Sequence, residues 1–255
     1  MTDLQILNCN GEIMLIWVIL FSSISIGLFW YARHQPFPEH GNIAGSIFLL
    51  TALVLYIALG APRTTAGTLP GSPVPPVLAI ILGGWFTIIG GYHMGRTQRD
   101  VIVAPFSGII LLSGIFGLVT LDWTQQTTTE QIGNFMLASI FVLLEIYLLF
   151  RGLVVGIQGI TWSKSGLRQL ERGLILGERG AISHFERSWD MEDPALSAMA
   201  HAALALIHKS NGNTEKYEIH INRLDRFGGW ESVDSSWLDV INTRLHGNEI
   251  LDSSE

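Results

Sequence analysis

Glu145 is the residue of this sequence best placed to do chemistry. Hydrocarbon surrounds it in Val142-Leu-Leu-Glu-Ile-Tyr-Leu-Leu-Phe150. A carboxyl group in such a run is costly to bury. By default it marks either a proton or ion site, or a polar lock between helices. His93 and Tyr92 close an earlier apolar run at a depth that Glu145 could match. The expectation is that Glu145 pairs with His93 or Tyr92, or carries a proton. Arg151 lies further along the same run, and its stem is long enough to reach the headgroups.

Other residues with chemical potential are read as structural. The loop Arg33-His-Gln-Pro-Phe-Pro-Glu-His40 holds two histidines and a carboxylate. Metal binding needs a converging third or fourth ligand, so the loop is read as a rigid proline-rich turn. His184, His201, His208 and His220 invite a metal or pH-sensing role, with His201 and His208 two turns apart on one helix face. Ligating histidines need carboxylate or carbonyl groups behind them. None is visible in the sequence, so these are read as packing residues. There is no His-Glu-x-x-His, no Gly-x-Ser-x-Gly and no intramembrane aspartate pair. Ser113-Gly114 has no histidine at its depth and is read as a packing pair. The single cysteine, Cys9, excludes an internal disulfide and a cysteine-based zinc site. No catalytic, cofactor or metal site is expected, and an enzyme is the least favoured class.

The elements that carry these residues fall into two solvents. Charged residues make up 15% of the 255-residue chain, against about 25% in soluble domains. Residues 1–160 carry 5 Lys/Arg and 7 Asp/Glu, while residues 161–255 carry 10 and 15. A membrane domain over 1–160 and a soluble domain over 161–255 are expected. The balance of −5 in the second part argues against nucleic acid, which needs a basic patch.

Five apolar runs approach the ~20 residues needed to cross a bilayer: Ile13–Ala32, Ile43–Ala61, Val74–Met94, Val101–Leu121 and Ile132–Phe150. In lipid the backbone must satisfy its own hydrogen bonds, so these runs must be helices. Asp3 and Glu12 precede the first run with no basic residue between them. That lacks the basic start of a cleaved signal, so the run is expected to stay as a membrane helix. Arg96 and Arg99 follow the third run, and Arg151, Lys164, Arg168 and Arg172 follow the fifth. The positive-inside rule then puts the N-terminus outside and the C-terminal tail in the cytoplasm of a cell-membrane protein, with only Arg63 opposed. Trp30, Trp123 and Trp162 are expected at the interfaces. Gly83, Gly84, Gly90 and Gly91 on the third run, and Ser107, Gly108, Ser113, Gly114 and Gly117 on the fourth, mark close helix contacts, within the chain or in an oligomer.

From Ser165 the apolar period becomes that of short amphipathic helices. Leu167, Leu170 and Leu174 stripe the first; Ile182, Phe185 and Trp189 the second. Leu196, Met199, Ala203, Leu204 and Ile207 stripe the third; Tyr217, Ile221, Leu224 and Phe227 the fourth. Trp237, Val240, Ile241 and Leu245 stripe the fifth. Asp193-Pro194 reads as a cap followed by a first-turn proline. Asn211-Gly-Asn-Thr214 and Phe227-Gly-Gly read as breaks, and Ser236-Trp-Leu-Asp239 has capping-box spacing.

Leu204-Ala205, Gly212, Tyr217, Ile221 and Leu224 resemble the tetratricopeptide-repeat pattern of a Leu-Gly pair, a turn glycine, then Ala, Phe and Ala. Ala181, Phe185, Ser188 and Pro194 follow the same logic one repeat earlier. Tyr217 stands where the family has alanine, and His201 and His208 where aromatic residues are usual. The resemblance covers residues 165–246 and none of the membrane half. It implies a curved stack of helix pairs whose concave face grips a peptide or a partner helix, with His201, His208 and Tyr217 as candidate contacts. The last helix would cap the stack, and the acidic Glu249–Glu255 stretch would be solvated. The chain is thus expected to be all-α: a five-helix transmembrane bundle in the lipid bilayer, followed by a small cytoplasmic repeat-like domain. The function expected is a membrane-anchored scaffold for a cytoplasmic or membrane protein partner. The alternative is a small transporter or sensor using Glu145 and His93, which requires water to reach Glu145.

Overall fold

A computed structural model describes residues 2–59, 72–121, 123–189 and 193–252. Arg63, most of the 62–73 loop, Asp122 and the last three residues of the acidic end lie outside the described residues. The described chain is helical throughout. It comprises α1 (Thr2–Ala32), α2 (Glu39–Leu59), α3 (Val74–Tyr92), α4 (Val103–Leu121), α5 (Thr128–Leu149), α6 (Ile157–Glu171), α7 (Ala181–Trp189), α8 (Pro194–Ser210), α9 (Thr214–Asp225) and α10 (Ser235–Asp252). The wider π-helical turns His93–Thr97 and Phe150–Gly156 follow α3 and α5. Five helical stretches, each including one of α1–α5, are long and apolar enough to cross a membrane.

The chain forms two compact units. One joins residues 1–91 and 102–152; the other joins 92–101 and 153–255. The charge profile changes near residue 160, but the units meet at Gly152 and Leu153, inside the second π-helical turn. The short loop after α3 belongs to the second unit, which charge counting over a linear sequence cannot reveal.

In the first unit α1 and α2 pair along a seam. Trp17, Phe21, Ile24 and Leu28 of α1, and Ala44, Phe48, Ala52 and Leu55 of α2, are buried. Their spacings of three and four residues put each set on one stripe. Ser25 Oγ donates to the Gly45 carbonyl at 2.7 Å, a cross-helix bond where the backbones come close. Phe48 meets Phe21 at 5.9 Å and Phe86 at 5.4 Å between ring centres, linking three helices. The remaining faces carry exposed Ile, Leu and Phe, such as Ile88 and Leu143, which is the surface a bilayer solvates.

The fourth apolar helix packs through its small residues. A methyl placed on Gly83 would lie 2.5 Å from the Leu111 nitrogen. One on Gly90 would strike the Ala104 backbone, and one on Gly114 would lie 2.7 Å from the Pro76 oxygen. Gly84 and Gly91 are different: the first has only a Leu111 side-chain atom at 3.8 Å and the second has nothing within 4 Å. The Gly83/Gly90 line is therefore occupied within the chain.

In the second unit α8 is the centre. It is buried from Leu196 to Ala205 without a break, and again at Ile207 and His208. No Asp, Glu, Lys or Arg occurs between Pro194 and His208, as a helix covered on all sides requires. It packs against α7 and α9, and α10 lies against α6 and α8. Trp237, Ile241 and Leu245 form the buried stripe of α10, and Arg244 reaches Glu171 of α6 at 3.8 Å.

The caps follow the sequence signals closely, with one shift. Asp193 accepts from the Ala195 and Leu196 N–H groups at 2.9 and 3.0 Å. Asn213 accepts from Lys216 N–H at 3.1 Å. The cap of α10 is Asp234, which accepts from Ser236 N–H at 3.0 Å, two residues before the expected Ser236. In the first stripe, Leu167 and Leu170 are buried but Leu174 lies beyond the end of α6 and is exposed. Trp162 stacks on His184 at 5.6 Å, beneath the Arg187 guanidinium, and so joins α6 to α7.

Candidate functional sites

Glu145 lies on the inward stripe of α5 with Ala138 and Leu148, and it is 5% exposed. Its carboxyl group fills the notch left by Gly108 on α4, in direct contact with that backbone. Neither Oε1 nor Oε2 has a hydrogen-bond partner, and Ser107 Oγ, one residue before Gly108 on α4, also lacks one. The expected pairing with His93 or Tyr92 is therefore not made. Both of those residues belong to the other unit. His93 Nδ1 lies 3.0 Å from Thr97 Oγ1, within its own π-helical turn, and its ring meets Tyr92 edge-on at 5.5 Å.

The space beside Glu145, bordered by Thr87, Leu111, Phe141 and Leu144, has no volume that a water molecule could occupy. A buried polar group without a partner costs about 1–3 kcal/mol, whereas an apolar group of similar shape costs nothing of that kind. Glu145→Leu is accordingly expected to leave the full-length protein as stable as the parent or more so. A melting midpoint in detergent that fell by several degrees would mean that the acid has a stabilising partner.

The tail histidines form a stack in the interior of the second unit. His201 Nδ1 and His220 Nδ1 are 3.2 Å apart. His208 lies parallel to His220 at 5.5 Å, and Trp189 and Phe227 flank His201 at 4.8 and 6.0 Å. His201 and His208 are 1% and 4% exposed. Neither presents a surface to a partner, which corrects the expectation that they lie on a gripping face. Tyr217 is half-buried on α9. Burial, with Arg223 nearby, pushes His201 down to about 4. Burial, then His201, His208, Arg223 and Lys216, does the same for His220. His208 is lowered by burial and Lys216, against Glu186. Neutral rings packed in this way are core, and no group of three ligands able to hold a metal occurs among the described residues.

A site that the sequence reading missed opens elsewhere in the second unit. A cavity of about 420 Å³ lies between the turn after α3, the start of α8 and the segment joining α9 to α10. Tyr92, Arg96 and Thr97 line one side; Phe227, Glu231, Ser232 and Asp234 line another. Arg96 is exposed and lies over the Tyr92 ring at 6.0 Å. Asp234 is held by its capping bond to Ser236, and Glu231 is exposed. Arg96 served in the sequence only as an orientation marker. The one sequence signal at the opposite wall is Gly228-Gly229, whose positive φ values of 103° and 68° turn the chain there.

Comparison with protein-family models, curated proteins and solved structures finds no match to this chain. The described residues define an all-helical protein with several helices long and apolar enough to span a membrane.

Proposed function

We propose that this protein is a membrane-anchored interaction module, with its membrane helices as anchor and a cytoplasmic helical domain that recruits a protein partner. The observation that carries the reading is the composition of the second unit. The charged helices of the tail fold as a body of their own, and that body takes in the Arg96 and Arg99 loop. This supports a single face of the membrane for the loop and the tail, and the positive-inside rule makes that face cytoplasmic.

Sequential packing of α6 with α7, α7 with α8 and α8 with α9 agrees with the repeat-like pattern of Leu204, Gly212 and Leu224. The surface of the tail supports a partner independently. Leu174, Leu176, Ile219 and Trp230 are exposed large apolar residues on the tail, and each is a point at which a partner could bury apolar area. The transporter reading, with Glu145 and His93 as its working residues, draws no support from a carboxyl group that water does not reach.

The test is site-specific photocrosslinking in intact membranes. A crosslinking residue at 176, 219 or 230 is expected to give a discrete protein adduct that the same residue at exposed Leu143 does not give. Absence of adducts from all three tail positions would overturn the reading.

A further inference from the structure

The cavity beside Arg96 carries an inference that does not depend on the partner reading. Its volume, about 420 Å³, falls in the ~300–1,000 Å³ range of small-molecule sites. Its walls carry opposite charges that do not neutralise each other. Arg96 lies over Tyr92, and neither Arg96 nor Glu231 takes part in an ion pair among the described residues. Arg96 and the carboxylates of Glu231 and Asp234 line one space, Asp234 being engaged by Ser236, and a lining with both signs fits a ligand that carries both signs.

The wall that holds Arg96 is also the end of a candidate span, Val74–Thr97. Tyr92, Arg96 and Thr97 therefore stand at the depth where a helix leaves hydrocarbon for headgroups, and where aromatic and basic side chains collect. An anion there meets a guanidinium able to make two parallel hydrogen bonds to phosphate oxygens. A primary ammonium meets the Glu231 carboxylate, with Phe227 also in the lining. Ser232 and Thr97 add hydroxyl groups that serve either end. The N–H groups at the start of α8 are already taken by Asp193, so the anion has to be held from the Arg96 side.

We infer that this cavity binds a zwitterion bearing a phosphate and a primary ammonium, as in phosphoethanolamine, with Arg96 on the phosphate and Glu231 on the ammonium. Two sources share that chemistry: the headgroup of phosphatidylethanolamine and a free phosphoethanolamine.

The experiment uses the full-length protein in detergent, with bound molecules counted by native mass spectrometry. The probes are short-chain phosphatidylethanolamine, phosphatidylglycerol, phosphatidylcholine and free O-phosphoethanolamine. Saturable binding of phosphatidylethanolamine, tighter than of phosphatidylglycerol, is expected. Loss of one charge-assisted contact should weaken it by about 10-fold or more, in Arg96→Gln and in Glu231→Gln alike. Both residues are exposed, so both variants should melt like the parent. Free O-phosphoethanolamine binding with the same two dependences would assign the site to the soluble source, and its failure to bind would assign it to the lipid. Three outcomes would overturn the inference: no saturable binding of either source, equal binding of phosphatidylglycerol, or sensitivity to Arg96→Gln without sensitivity to Glu231→Gln.

Discussion

Gly90→Val is expected to cost the protein its folded first unit, while Gly91→Val is expected to leave it intact. The two residues are neighbours in sequence and alike in chemistry. They differ in what a side chain would meet. At Gly90 the three nearest atoms belong to the backbone of Val103 and Ala104. Backbone atoms of a neighbouring helix cannot swing aside as a side chain can, so α3 and α4 would have to separate. Gly83 is in the same position against Leu111 and the Ser107 carbonyl, at 2.5 and 3.0 Å. Overpacking a well-filled site costs about 1–3 kcal/mol, and a Gly83→Val/Gly90→Val double variant loads both ends of one seam. Membrane helices hold together by close packing, with no hydrophobic drive between them, so nothing offsets the loss. Size-exclusion profiles in mild detergent should show the double variant aggregated and Gly91→Val eluting with the parent. A double variant that eluted and melted like the parent would mean that this seam does not hold the bundle.

That contrast also shows how far the sequence could be read. A spacing of seven put Gly83 with Gly90 and Gly84 with Gly91 on two lines about a third of a turn apart. Either line could have faced a neighbour, because helical periodicity gives a face its composition and not its partner. The five long apolar helices were legible because a run of ~20 apolar residues has one stable form in lipid. Glu145 was legible as an oddity, but its partner was not. Depth matching suggested His93, yet the turn that carries His93 goes with the second unit. The cavity at Arg96 was not legible at all, since it joins Tyr92–Thr97 to Phe227–Asp234 through packing that no local pattern encodes. The histidines of α8 and α9 were legible as packing residues, and they are buried. What the burial does not fit is the gripping face that the repeat resemblance implied for His201 and His208, and the uncharged stretch from Pro194 to His208 already argued for a helix covered on all sides.

Acidification is expected to unfold the second unit well before carboxylate titration alone would. The sign follows from the cluster. His201 and His220 are held at about 4 by burial and nearby positive charge, while in the unfolded chain each titrates near 6.5. Between those values the unfolded chain binds more protons than the folded one, so stability falls as pH falls. Above about pH 7 both states are neutral and the histidines contribute no slope. Below about pH 4 the loss is complete. The two rings share a contact at 3.2 Å, so once one ring is charged the second charges only at lower pH, and charging both in the folded state costs more than twice a single ring. With ~4–8 °C lost per kcal/mol in a domain of this size, a drop on the order of 10 °C in the tail's melting midpoint is expected between pH 6.5 and 4.5. Trp189 lies 4.8 Å from His201, which makes tryptophan fluorescence a local reporter. The neighbours that set the field are Arg223 and Lys216 on α9 and Glu186 on α7. A His201→Phe/His220→Leu variant removes both titrating rings and keeps apolar volume between Trp189 and Phe227, so its midpoint should depend far less on pH over that interval. An equally steep dependence in the double variant would place the acid-sensitive groups elsewhere and leave the histidine stack as inert packing.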